Sequence, residues 1–276
     1  MATKLSYLIF FDKLFYPCYS ICSWFFPLFF SKAKHLYPVY YKNGYFSKLD
    51  NDALFVYRQR TSTTSQIGII AATHLQDYFQ ERIIKHEETL ESKEEKMVRL
   101  FEERNGQIKP VLLTYPTVSE IDIFLKKIIE TREPDQHINY KEAEHDIWFL
   151  QSEEDYKYVQ QLFKDKMEKA YIADGHHRTS TTALMHERLQ EANNDKSYDQ
   201  LLCALFPTTE LEILDFNRVV EIVGDFSPAL FMAQLSKLCN IEVLPRARKP
   251  LRKGEMTLFL DRTWFSLKWR YEFLSS

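Results

Sequence analysis

Hydrophobic positions along this chain recur at two spacings, and the switches between them lay out most of its elements. "ALFVYRQR" from residue 53 and "QIGIIAATHL" from residue 66 are β-branched and aromatic runs. The turn-forming "TSTTS" joins them, which predicts two paired strands. From Leu75 to Gly106 the text becomes heavily charged and reads as helical. Met97, Leu100 and Phe101 form its core stripe, and Gly106 closes it as a C-terminal cap. "IKPVLLTYP" then predicts a short buried strand. Ile121, Phe124, Leu125, Ile128 and Ile129 recur at i, i+3, i+4, i+7 and i+8, an amphipathic helix.

"DIWFL", residues 146–150, is a further strand, and Ser152 is placed to cap the next helix. That helix shows Tyr156, Val159, Leu162 and Phe163 on one face. "KAYIA", residues 169–173, is a strand, followed by a helix near 179–192, strands near 200–206 and 211–216, and a helix near 228–239. The polar "EANNDKSYD", residues 191–199, reads as a loop. "IEVLP" and "GEMTLFLDRTWFSLKW" end the pattern as strands, with a hairpin turn near Asp261–Arg262. Strands alternate with helices in the middle while hairpins flank both ends. The expected class is α+β (mixed α/β), a mixed sheet with flanking helices, rather than a doubly wound sheet.

The first 45 residues differ from the rest. "LFYPCYSICSWFFPLFF", residues 14–30, is apolar and is followed by Lys32 and Lys34. It sits at the lower limit for a membrane span, and Pro17 and Pro27 interrupt it. A packed N-terminal extension is favoured over membrane contact.

Composition narrows the function classes. At 276 residues and 45% hydrophobic, the chain can fill one large core or two smaller ones. A net charge of -3, from 36 basic and 39 acidic residues, supplies no global field for nucleic acid, and no such partner is expected. Six glycines argue against a multi-glycine phosphate loop. The four cysteines, Cys18, Cys22, Cys203 and Cys239, are scattered, which suits reduced thiols in a cytoplasmic protein. Cys18 and Cys22 lack a second ligand pair for zinc.

The densest chemistry lies in "AYIADGHHRTSTTALMHE", residues 170–187. Asp174, Gly175, His176, His177 and Arg178 fall where an apolar strand runs into a helix. Ligands of α/β arrangements gather at such strand ends, and a helix start offers unpaired N–H groups to an anion. Gly175 allows a tight turn, and Arg178 can grip a phosphate or carboxylate. His176 and His177 can donate hydrogen bonds or move protons. Asp174 can hold magnesium, act as a base or orient a histidine. Thr179, Ser180, Thr181 and Thr182 add hydroxyls. The bland alternative is a capping acid, ordinary capping hydroxyls and surface histidines. Phosphate is favoured over metal, because adjacent histidines converge poorly on one ion and His186 lies about two turns further along the helix. A second stretch, "IIKHEETLESKEEK" (83–96), offers Lys85, His86, Glu87, Glu88 and Thr89 as acid–base partners, or else a solvated helical face. "FNRVV" adds Asn217 and Arg218, a weak signal alone.

Three blocks in this order, "VYRQR…GIIAATHLQDYFQERIIKHEETLESKEEKMVRLFEERNGQIKPVLLTYP", "YIADGHHRTSTTAL" and "ALFPTTELEILDFNRVV", resemble the domain-of-unknown-function 1015 family of prokaryotes. More loosely, "DGHHR" resembles the phosphate-binding box of the ParB/sulfiredoxin-like superfamily, which includes nucleotide-dependent free-serine kinases. That resemblance implies a ParB/sulfiredoxin-like core with a strand–DGHHR–helix unit. It puts Asp174, Gly175, His176, His177 and Arg178 at the phosphates, with ADP or ATP and magnesium expected as cofactor and Thr179 and Ser180 as further binding residues. Asp174, expected to bind magnesium or the attacking hydroxyl, His177 and Glu87 form the expected catalytic set, with His86 and Glu87 as cleft partners. Asn217 and Arg218 match a third block of unstated role. Residues 1–45 do not resemble the family's N-terminal segment with its Arg-Pro motif. They are therefore expected to be a divergent extension, with 46–276 as one family-like domain that could be shortened at both ends.

Three functions follow as expectations. The first is a phosphotransferase acting on a small hydroxyl substrate such as serine. The second is a non-catalytic nucleotide- or anion-binding module, and the third a metal-dependent hydrolase built on His176, His177 and Asp174.

Overall fold

A computed structural model describes residues 2–3, 39, 42–43, 49, 52–89, 91–104, 107, 109–193, 198–213 and 217–270. The apolar segment 14–30, Cys18, Cys22 and the proposed cap Gly106 lie outside the described residues. Among the described residues no helix is long and apolar enough to cross a membrane. The chain divides into two compact units, Met1–Glu212 and Ile213–Ser276.

The first unit is built on one mixed sheet. Its elements are β1 (Ala2–Thr3), β2 (Leu54–Arg60), β3 (Ser65–His74), α1 (Gln76–Phe79), β4 (Ile83–Ile84), α2 (Glu91–Arg104) and β5 (Val111–Tyr115). There follow α3 (Ser119–Thr131), β6 (Gln136–Tyr140), β7 (Ala143–Leu150), α4 (Glu153–Lys166), β8 (Ala170–Asp174), α5 (His176–Asn193) and β9 (Gln200–Pro207). The strand order is β4-β8-β5-β9-β3-β2-β7-β6, with β1 beside the second half of β3. Ladders β4–β8 and β5–β9 are parallel and the others antiparallel, so the molecule is α+β with a mixed sheet flanked by helices.

Alternation explains the strands. In β5, Val111, Leu113 and Tyr115 are buried while Leu112 and Thr114 are half-buried. The long strand β3 serves β2 with its first half and β9 with its second. Gly68 stands at the crossing, where a Cβ would come within 2.6 Å of the Leu205 carbonyl oxygen. Helices α3 and α4 deliver Ile121, Leu125, Val159 and Phe163 to the same core as Leu54, Trp148 and Leu205. Ser152 caps α4 as expected, its hydroxyl accepting the Asp155 N–H at 3.1 Å.

Two expectations need correction, and one strand stands outside them. Residues 75–106 are not one helix: α1 ends within four residues, β4 intervenes, and the chain runs open over 85–89 before α2. Tertiary bonds override helical propensity here. Asp77, 3% exposed, accepts the Arg82 Nε–H at 2.7 Å, and the Ile83–Ile84 pair joins β8. No strand forms at 211–213, the described part of the 211–216 expectation. The chain leaves β9 through a 3-10 turn, Thr208–Glu210, whose Glu210 carboxylate accepts the Ile67 N–H at 3.0 Å. Strand β6 was not foreseen, because "QHINY" is an exposed, mostly polar edge strand without hydrophobic alternation.

The second unit carries α6 (Pro228–Leu238) and the antiparallel sheet β10 (Cys239–Leu244), β12 (Thr263–Trp269), β11 (Glu255–Leu260) in that spatial order. Asp261 and Arg262 turn the β11–β12 hairpin at φ 45° and 62°, the left-handed pair that a tight two-residue hairpin turn requires.

Candidate functional site

Two segments about ninety positions apart meet because β4 and β8 run parallel, Ile83 opposite Ala170 and Ile84 opposite Tyr171. Their carboxyl ends therefore open on the same edge. The chain after β4 gives the 85–89 segment, and the chain after β8 gives Asp174 and Gly175. Arg82 fastens the arrangement: its carbonyl accepts the Ala170 N–H at 2.8 Å and its own N–H reaches the Asp77 carbonyl at 2.8 Å.

Gly175 has φ 106°, a region that other L residues rarely adopt, and a Cβ on it would lie 2.7 Å from Arg178 Nη2. The helix begins at His176, three residues before the expected start, so both histidines and Arg178 stand in its first turn. First-turn N–H groups of a helix lack intrahelical acceptors and carry the positive end of its dipole. Arg178 folds back over the turn and donates from Nη2 to Asp174 Oδ2 at 2.7 Å, while its Nε is buried without a partner.

His176 is 8% exposed. Its Nε2 accepts the His86 backbone N–H at 3.4 Å, and the two rings meet edge to face at 4.4 Å. A ring accepting at Nε2 carries its proton on Nδ1, and that atom faces Glu87 Oε2 at 3.9 Å. Burial, and then His86, lowers the His176 pKa against the opposite pull of Glu87 and Asp174. His177 Nδ1 is buried with no hydrogen-bond partner.

The hydroxyls serve the helix. Thr179 donates to the Gly175 carbonyl at 3.2 Å, Thr181 to that of His177 at 2.6 Å, and Thr182 to that of Arg178 at 2.8 Å. All three threonines are fully buried, so Thr179 presents no hydroxyl outward. Ser180, half-buried, reaches the His177 carbonyl at 3.2 Å.

The structure thus gathers Asp174, Gly175, His176, His177, Arg178, His86 and Glu87 at one strand-end and helix-start junction. Asn217 and Arg218 stand apart in chain order, exposed on open backbone in the second unit. His186 is committed elsewhere, its Nδ1 lying 3.0 Å from Asp199 Oδ1. Among the described residues no group of three or more His, Cys, Asp or Glu side chains is placed to hold a metal ion. Sequence reasoning passed over Glu94 of α2. It accepts a hydrogen bond from the Thr89 hydroxyl, and the Ser180 hydroxyl and the His177 and Lys85 charges also act on it. Its signal was a carboxylate standing one turn ahead of Met97 and Val98 on the apolar stripe of α2.

Fold and site define an α+β protein with a strand–glycine turn–helix junction rich in histidine and arginine. A family model described as a protein of unknown function (DUF1015) matches residues 29–274, and the chain belongs to that family. No curated protein and no solved structure matches it.

Proposed function

We propose that the chain binds nucleotide phosphates at the start of α5 and acts as a phosphotransferase, using ADP or ATP with magnesium and a small hydroxyl substrate such as the amino acid serine. The observation that carries the reading is the Gly175 turn. It is a turn at φ 106° whose missing Cβ leaves room for the Arg178 guanidinium, followed at once by first-turn amides. Its likeness to the phosphate-binding box of ParB/sulfiredoxin-like proteins points the same way. Buried free thiols, Cys203 and Cys239, suit a reducing cytoplasm.

In this reading the amides and Arg178 take the phosphate oxygens, and His177 donates to them. Asp174, whose side chain is 65% exposed and whose Oδ1 is not engaged by Arg178, would hold the magnesium ion. Bound there, it supplies charge neutralisation. Glu87 is the expected base for the acceptor hydroxyl. A second reading, binding without transfer, is favoured by two details. Asp174 is already paired with Arg178, and Glu87, 68% exposed, stands 3.9 Å from His176 Nδ1.

Thermal shift across ADP, ATP and inorganic phosphate, with and without magnesium, tests the first claim. A ligand at a hundredfold excess over its Kd stabilises by about 2.7 kcal/mol, several degrees in Tm. Arg178→Ala and Gly175→Ala remove that shift; a shift that survives both substitutions rules this seat out. Nucleotide consumption above an Asp174→Ala control, with serine present, separates transfer from binding.

A further inference from the structure

We propose that strand β6 is a dimerisation edge, at which two copies of this chain pair antiparallel about a two-fold axis through Ile138 and join their sheets. This surface owes nothing to the phosphate seat.

The two edges of the large sheet differ. One ends in β4, two residues long, and the other in β6, five residues long. The turn Lys141–Glu142 closes on the Tyr140–Ala143 pair, and pairing with β7 then runs without a shift to Gln136–Ile147. Backbone groups of an antiparallel strand point alternately to its two sides. Tyr140, Ile138 and Gln136 therefore bond to β7, while His137 and Asn139 turn their N–H and C=O groups outward. Among the described residues those groups have no partner. Long edges are ordinarily guarded by lysine, proline or a bulge within the strand. "QHINY" has none of the three.

Side chains hold this edge in place. Asp146 of β7, 1% exposed, accepts from His137 Nδ1 at 2.6 Å and from Arg58 of β2 at 3.0 and 2.8 Å. Asn139 Nδ2 lies 3.2 Å from His137 Nε2. An edge already ordered loses little freedom on pairing.

What fits the edge is the same edge. With the axis at Ile138, His137 opposes Asn139 of the second copy, and each such pair exchanges both backbone bonds. Gln136 opposes Tyr140, and Ile138 opposes its own equivalent. Opposed residues point to the same face, as pairing requires. Asp135 and Lys141 flank the strand, so Asp135 of each copy stands beside Lys141 of the other, and no like charges meet between 135 and 141. Asp135 is fixed there, its Oδ2 accepting the Phe149 N–H at 2.7 Å. The contact is isologous, and the short β4 edges give no room to extend the sheet, so assembly stops at two copies. One strand pair buries less than the roughly 1,200 Å² of a stable interface, which makes this dimer weak and concentration-dependent.

Sedimentation velocity of the full chain, from about 1 μM to about 1 mM, tests the association. The parent shifts from monomer toward dimer across that range. Ile138→Lys sets two like charges against each other on the axis and raises the dimer Kd tenfold or more, with an unchanged melting temperature. Lys141→Glu makes both flanking pairs repulsive and weakens association about threefold to tenfold. Mild oxidation tests the axis itself. Ile138→Cys brings two thiols together at a non-hydrogen-bonded pair, about 4.5 Å between Cα atoms, and gives a disulfide-linked dimer. Gln136→Cys leaves its thiols about 13 Å apart along the strands and, like the parent, does not cross-link. A parent that stays monomeric throughout overturns the proposal. So does a dimer that is indifferent to Ile138→Lys or that cross-links equally through either cysteine, because another surface then makes it.

Discussion

His176 sets the residue scale. Its ring is buried, accepts at Nε2 from the His86 N–H, and titrates below the ordinary imidazole range because burial opposes the charge. A group whose folded pKa is lowered stabilises fully above its unfolded value, about 6.5 for histidine, and that stability is lost as pH falls through the folded value. Protonation also turns Nε2 from acceptor to donor, which opposes the His86 N–H. We therefore expect amide exchange at residues 85–89 to accelerate, relative to the rest of the sheet, as pH falls below about 6. His176→Asn should abolish that pH dependence. Exchange that rises equally across the sheet would assign the effect to global acid destabilisation. At this scale the motif itself was legible, since strand, glycine and cationic side chains sit adjacent in sequence. The commitments of its hydroxyls were not. Thr179, Thr181 and Thr182 turn to carbonyls of their own helix, and only the early helix start at His176 makes that geometry available.

The element scale shows where pattern reading holds and where it fails. Helices α3 and α4 follow from their stripes because each buries one face on the sheet, and β5 and β8 follow from short apolar runs. The stretch from Leu75 to Arg104 misled because its charges suit a helix, while Asp77 holds Arg82 five residues on and Arg82 and Ile83 join Ala170, far along the chain. Asp77 is the informative case. Its side chain is buried, one carboxylate oxygen holds Arg82, and the other has no partner. Arg82→Ala should cost about 1–3 kcal/mol, the range for a charged hydrogen bond lost from a buried acceptor. Asp77→Asn should cost less, since no buried charge is stranded. Urea denaturation of both variants checks the order; equal losses would show that Asp77 is solvated when Arg82 is gone.

At the scale of the whole molecule the two units can be told apart by acid. In the second unit the Glu255 side chain is 1% exposed. The Ser266 hydroxyl first, the Leu251 N–H and Arg248 then hold its carboxyl near pKa 2. The folded value lies below the unfolded one of about 4.3, so its contribution is present above that value and fades as pH falls toward about 2. Thermal melts of Glu255→Gln should accordingly lose most of their difference from the parent in strong acid; a constant gap at all pH values would mean packing, not charge, is what Glu255 supplies.

The two-residue ladder between β4 and β8 has one more consequence. Strand β4 is the terminal member of the sheet order, held by a pair of residues. Edge segments of so few bonds open at a small fraction of the free energy of global unfolding. His86 and Glu87 follow directly on that edge, whereas Asp174, Gly175 and Arg178 follow β8, which has a strand on either side. One half of the junction is thus fixed with the sheet and the other is on a tether that can detach alone. Affinity at such a junction is the product of intrinsic contact and the fraction of time the tether is docked, so a mutation in β4 can change binding without touching any ligand.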